Sequence, residues 1–177
     1  MGDETLIRRV VRAALATARA DRVVVVLGAE ADACQQALSG LPGIELVRNP
    51  DWPSGQASSL VAGLMALQSS DAAVDAVVIV LSDQPLVTSQ LLDEIIGRYE
   101  ATNAPVIACH YANDVLGPPA LFDRSLFSEL ATLSGDAGAR RIIEAHADRL
   151  QTVPFEGGAT DIDTAADWNA WRALRRP

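Results

Sequence analysis

Lysine is missing from this chain: all 14 basic residues among its 177 are arginine. A phosphate-gripping Walker lysine, a Schiff-base lysine and a lysine general base are therefore excluded, and any phosphate must be held by Arg, backbone N–H groups or a metal. Basic charge is scarce altogether, since 23 acidic residues against 14 basic ones leave a net charge of -9. That excludes a general nucleic-acid binder, which needs a basic footprint. Cysteine is limited to Cys34 and Cys109, with no CxxC pair and no disulfide framework. Both read as buried small apolar residues in a reducing cytoplasm. No run approaches the roughly 18 apolar residues of a membrane span. The N-terminal stretch mixes acids and arginines with its apolar residues, unlike a signal peptide. A GxSxG nucleophile elbow is absent as well. What is abundant is core material: 49 % of the chain is apolar, enough for one domain over residues 1–177.

Strand-like and helix-like periods alternate along the chain. Residues 5–19 have helical spacing through Leu6, Val10 and Ala14. Residues 22–27 and 76–81 are continuous β-branched runs, which predict strands buried on both faces in a parallel sheet. Helices are expected over 30–39, 57–67 and from Thr88, a candidate N-cap, and further strands over 44–47, 105–109 and 150–155. Residues 111–122 read as irregular and 123–147 as two helices. Thr164 with Asp167 resembles a capping box that opens a last helix. Alternation of this kind predicts a parallel α/β sheet, with ligands beyond the strand C-termini.

Several residues at such strand ends could carry chemistry. Asp83 directly follows a buried run, where a carboxylate is a natural ligand for Mg²⁺ or a simple turn residue before proline. Asp161 and Asp163 alternate in an extended segment and so share a face. Asp163 either favours a helix dipole or joins Asp83 on one metal. The 49–59 loop offers Gly55, Ser58 and Ser59 at a helix N-terminus, as an anion site or as ordinary caps. Trp52 reads as a packing residue. His110 and His146 lack partners at metal-ligand spacing and read as surface or satisfied polar residues. The Arg140–Arg141 pair is an anion contact or a solvated helix face.

Five segments then occur in a telling order: NPDWPSG at 49–55 with Ser58 and Ser59, LSDQPLV at 81–87, GPPALF at 117–122, GDAGAR at 135–140, and DIDT at 161–164 with Asp167. Their order and content resemble the MobA-like nucleotidyltransferases, nearest the branch that includes molybdenum cofactor cytidylyltransferase. The resemblance implies a Rossmann-like three-layer α/β/α sandwich with a mostly parallel sheet. It also implies transfer of a nucleotidyl group, CMP from CTP, to a molybdopterin-type phosphate, with release of pyrophosphate and dependence on Mg²⁺. Asp83 matches the metal-holding aspartate of the DQP segment, and Asp163 matches the second metal-binding aspartate; both carry the catalytic role. Gly55 and Ser59, with Asp83, match the nucleotide side. Gly117, Pro119, Asp136 and Arg140 match the acceptor side. Cation and positioning carry catalysis in such reactions.

One part of the family pattern has no counterpart. A strand and Gly-rich loop of the type LAAGxSxRMGxxK, which wraps the triphosphate, opens such domains, and this chain begins after it. The expected deficit is about 25 residues, one βα unit. The usual first strand would lie mid-sheet, so backbone groups beside 23–27 or 76–81 lose a partner unless those strands pair directly or a strand is swapped in. The resemblance therefore predicts little turnover for the chain as it stands. A non-catalytic protein of the same fold that binds the cofactor or a partner is the other reading. An interrupted sheet favours a homodimer.

Overall fold

The structure, a computed structural model, describes residues 4–69, 73–160, 162 and 164–174. Helices α1 (Leu6–Leu15), α2 (Ala31–Ala37), α3 (Gln56–Gln68), α4 (Ser89–Thr102), α5 (Phe127–Leu130), α6 (Arg140–Ala145) and α7 (Ala165–Leu174) alternate with strands. The strands are β1 (Val23–Leu27), β2 (Ile44–Arg48), β3 (Ala76–Ile79), β4 (Val106–His110), β5 (Leu116–Asp123) and β6 (Leu150–Pro154). The α/β class expected from the alternation and the Rossmann-like fold implied by the resemblance both hold, with parallel ladders β1–β2 and β4–β6. Strand β5 runs antiparallel to both β3 and β4, so β3, β4 and β6 all point one way.

The strands form two sheets, β1–β2 and β3–β5–β4–β6, with no ladder between β1 and β3. The same helices nevertheless cover both. On one face, α1 packs Val11, Ile7 and Leu15 against Leu27 and Val25, and Ala13 and Ala14 against the cluster of Ile95, Ile107 and Leu121. On the other, α3 places Leu60 and Leu64 with Val77, Ile79 and Phe122. Its Gly63 leaves only 3.0 Å between a would-be Cβ and Val26 Cγ2. The layers are thus continuous while the sheet between them is divided.

Three expectations are corrected here. Strands 23–27 and 76–81 are not buried on both faces: Val23–Val26 and Ala76–Ile79 are only half-buried, because among the described residues each has a neighbouring strand on one side only. For β3 the expected parallel ladder is also absent, its partner being the antiparallel β5. Residues 111–122, read as irregular, contain the eight-residue strand that lies between β3 and β4. The β4–β5 register shifts after Ala108↔Ala120 to Cys109↔Gly117, passing over Pro118 and Pro119. Proline has no N–H to give a ladder, so the break falls where the chemistry demands it.

Strand β4 is the centre of the core. Val106 and Ala108 face α3, α5 and α6, while Ile107 and Cys109 face α4, the two-residue period of a strand covered on both sides. Burial pushes the Cys109 thiol up to about 12, with Glu94 adding to it, so it stays protonated. Cys34, expected to be buried, is only half-buried on the short helix α2.

Candidate functional site

Strands β3, β4 and β6 run the same way, so the segments after them, 80–85, Tyr111 and 155–160, gather at one end of the sheet, joined by the start of β5. Gln84 ties these pieces together. Its side chain is 2 % exposed, and its Nε2 donates to Tyr111 Oη at 3.0 Å, Pro118 O at 3.1 Å and Gly158 O at 3.2 Å. Tyr111 Oη also donates to Pro118 O. Gly117 closes against Tyr111, whose Oη would stand 2.7 Å from an added Cβ, and at Gly158 an added Cβ would strike the Tyr111 ring. Glycine is required at both positions for this ring to lie flat between them. Pro119 is fully buried in the same region.

Asp83 sits beside this hub, half-buried, with its Oδ1 shielded from solvent. Its carbonyl oxygen accepts from Ile162 N at 3.0 Å, which brings Ile162 alongside it. Asp161 and Asp163 lie outside the described residues. The capping box at the start of α7 is formed: Thr164 N donates to Asp167 Oδ2 at 3.0 Å, and Asp167 N to Thr164 Oγ1 at 3.1 Å.

Gly55, Ser59 and Asp136, assigned from sequence to two different sides, converge in a second group. Asn49, 6 % exposed, organises the loop before α3: Nδ2 donates to Ser58 Oγ at 2.8 Å and Ser59 Oγ at 3.0 Å, and Oδ1 accepts from Asp51 N at 3.0 Å. Its own N–H donates to Leu27 O at 2.8 Å, closing the end of β1. Gly55 has φ +112°, and an added Cβ would run into the Gly135 backbone and stand 2.8 Å from Asp136 Oδ1. Ala57 N in the first turn of α3 donates to Gly135 O at 3.1 Å. The 134–138 turn is therefore seated on the N-terminus of α3, and glycine is the residue that lets the two backbones meet.

Other sequence-based assignments lie elsewhere. Arg140 opens α6 with a 62 % exposed side chain paired to Glu144 at 3.1 Å, so it faces solvent. Trp52, read as packing, has only its root against Gly28 and is 46 % exposed. His146 Nε2 meets Glu129 Oε2 at 2.7 Å, and His110 Nε2 meets Asp114 Oδ1 at 3.2 Å, in keeping with their reading as surface or satisfied polar residues. A groove of about 500 Å³ between α2 and β2, lined by Gln35, Leu38, Ile44 and Arg48 among others, contains none of the expected site residues.

Sequence reasoning overlooked Gln84, Tyr111 and Asn49 as organisers. Gln84 stood in view inside the DQP segment, but its partners are 27, 34 and 74 positions away.

The donors at Asp83 suit a hard divalent cation on two counts. A carboxylate with the 162 segment hydrogen-bonded to its backbone is the ligand type such ions take, along with substrate phosphates and water. The neighbouring Gln84 Oε1 is a buried acceptor that meets no donor among the described residues, a demand that a cation's water or a substrate hydroxyl satisfies. Among the described residues no three His, Cys, Asp or Glu side chains cluster as a ligand set.

Comparison with known proteins bears on this arrangement. Nicotine blue oxidoreductase of Paenarthrobacter nicotinovorans is 33 % identical over 154 residues, 80 % of this chain and 71 % of that protein. The Rv0371c–manganese complex of Mycobacterium tuberculosis H37Rv superposes with a TM-score of 0.74 at 28 % identity, covering 96 % of this chain and 87 % of that one. An Rv0371c homologue from Mycobacterium sp. strain JC1 gives 0.77 at 30 % identity, covering 98 % and 84 %. Residues 1–150 match the MobA-like NTP transferase domain, and with most of its length inside that match the chain belongs to the MobA-like nucleotidyltransferase family.

Proposed function

We propose that this chain transfers a nucleotidyl group from a nucleoside triphosphate, CMP from CTP, to a phosphate of a molybdopterin-type acceptor, releasing pyrophosphate. An acceptor phosphate oxygen attacks the α-phosphorus, and the bond from that phosphorus to the bridging oxygen of the pyrophosphate breaks. A Mg²⁺ held by Asp83 and Asp163 would neutralise charge on the phosphates during that exchange. The observation that carries the reading is the bond from Ile162 N to Asp83 O, which joins the segments bearing the two aspartates. That the Rv0371c structure is a manganese complex supports dependence on a divalent ion. Gly55 and Ser59 serve the nucleotide, with Asn49 fixing the loop that carries them. Gly117 and Pro119 shape the acceptor side through Tyr111, and Asp136 meets the nucleotide loop at Gly55. Arg140 would reach an anionic acceptor only by leaving Glu144. The reading includes a single domain over 1–177, a cytoplasmic setting and a homodimer; both cysteines are free thiols, and among the described residues no helix is long and apolar enough to cross a membrane.

The test is pyrophosphate release with CTP, GTP or ATP, Mg²⁺ and the pterin acceptor. Slow release that prefers CTP, needs acceptor and vanishes in Asp83→Ala supports the reading. Release that survives Asp83→Ala overturns the metal assignment, and no release with any of the three nucleotides overturns the transfer. One observation favours a second reading: Arg140, the candidate anion contact, is paired with Glu144 at 3.1 Å. In that reading the chain is a non-catalytic protein of the same fold that binds cofactor or a partner; binding of acceptor without any pyrophosphate release identifies it.

A further inference from the structure

Helix α1 contributes nothing to the residues assigned so far, yet one of its side chains reaches the Asp83 loop. Arg9 Nε donates to Pro85 O at 2.8 Å, across 76 positions of sequence. The same guanidinium lies over the Trp171 ring of α7, its Cζ 5.3 Å from the ring centroid. Trp171 stacks on Trp168 with centroids 5.1 Å apart and planes 14° from parallel. Helix α7 begins right after the 162 segment, which bonds to Asp83 O at 3.0 Å. Two links therefore join the same two parts of the chain. One is the backbone bond between Ile162 and Asp83. The other is Arg9, held between Pro85 and Trp171.

We propose that Arg9 is a positioning residue that holds the Asp83 loop against the C-terminal helix α7, so that cation binding at Asp83 and docking of α7 favour each other. The coupling to the cation rests on the reading of Asp83 given above; the mechanical tie does not. Arginine suits the task because its Nε–H can meet a carbonyl edge-on while the rest of the guanidinium lies over an indole, which a lysine ammonium cannot do. Arg9 is half-buried, unlike the exposed Arg12 and Arg19 of the same region. Groups that orient a metal ligand without touching the ion commonly change affinity by about 10- to 100-fold when removed. If docking and loading share this contact, each must strengthen the other by the same factor.

The experiment uses the full chain with Trp52→Phe as background, so that emission comes from Trp168 and Trp171. Mg²⁺ affinity is measured by calorimetry and amide exchange is followed by mass spectrometry. Variants are Arg9→Gln, Arg9→Lys, Trp171→Leu and the Arg9→Gln/Trp171→Leu double. The expected result is that Mg²⁺ shifts the indole emission and slows exchange in α7. Arg9→Gln should weaken Mg²⁺ binding by about tenfold, abolish the emission shift, and speed exchange at both Leu86–Val87 and α7. Arg9→Lys should restore neither, and the double variant should be no worse than the worse single one. Equal Mg²⁺ affinity in wild type and Arg9→Gln overturns the coupling, as does additivity of the single effects. If wild type binds no Mg²⁺, the cation reading of Asp83 fails and takes the coupling with it. The tie itself is judged separately, on metal-free protein: faster exchange in both segments upholds it, and a change in only one, or in neither, overturns it.

Discussion

The two parts of the sheet differ in a way that composition does not foretell. Strand β1 is VVVVL and strand β4 is VIACH, so the more apolar segment is β1. Yet Val106, Ile107, Ala108 and Cys109 of β4 are fully buried, whereas Val23–Val26 are half-buried. Strand β4 has a neighbour on each side and helices on both faces; β1 has helices but only β2 beside it. Burial here follows the number of strands alongside. The four-stranded part is held by apolar packing around Phe122, and the two-stranded part has the small core of Val11, Leu27 and Leu38.

The largest effect that tests this contrast comes from paired truncations. Phe122→Ala empties a fully buried site between α3, α5 and α6 and should cost about 3–5 kcal/mol. Val25→Ala, in a half-buried strand, should cost about 1 kcal/mol or less. Urea denaturation of both variants gives the comparison directly, and equal costs would mean that β1 is as enclosed as β5.

A polar side chain does in the smaller part what packing does in the larger. Asn49 makes three side-chain hydrogen bonds to Ser58, Ser59 and the Asp51 N–H while almost fully buried. Asn49→Ala should cost about 2 kcal/mol, since it leaves buried groups unpaired, and should raise amide exchange in 50–59 more than in β4. A variant whose exchange rises equally in both places would show that the loop is not a local device.

These contrasts bear on what the sequence could disclose. Local signals were read well. The Thr88 cap accepts from Leu91 N at 3.2 Å, and α4, β4 and β6 fall within a residue or two of expectation. Strand β5 was lost because Gly117, Pro118 and Pro119 erase the period of two, although the apolar run 120–122 that follows is the core of the sheet. Gly55 and Asp136 stood out as residues, but their meeting depends on the path of 80 intervening residues, which no spacing rule encodes. The same limit hid Gln84 and Arg9, whose partners are all distant in sequence.

The smallest effect concerns the start of β3, where Asp123 of β5 pairs with Ala76. Tyr99 Oη donates to Asp123 Oδ2 at 2.6 Å. That bond, with burial and the Asp123 and Asp75 charges, pushes the Tyr99 hydroxyl up from 10.0 to about 12. Burial alone would raise the Asp123 carboxyl, but hydrogen bonds from Ser125 and Tyr99 and from the Ser125 and Arg124 N–H groups outweigh it and hold it below the usual carboxylate value. The signs then follow from linkage. Tyr99 has its folded value above its unfolded one, so its contribution is full below about pH 10 and is lost as pH rises toward 12. Asp123 has its folded value below the unfolded one, so its contribution is present above about pH 4 and is lost as pH falls through the folded value. Tyr99→Phe removes the shared bond and should cost about 1 kcal/mol near neutrality, and the gap from wild type should be flat across the middle range and close at both extremes. Urea midpoints for the two proteins at pH 3, 7 and 11 test it. A gap that persists unchanged at pH 11 would mean that the Tyr99 bond to Asp123 does not carry the difference and that the start of β3 is fixed by the β3–β5 ladder alone.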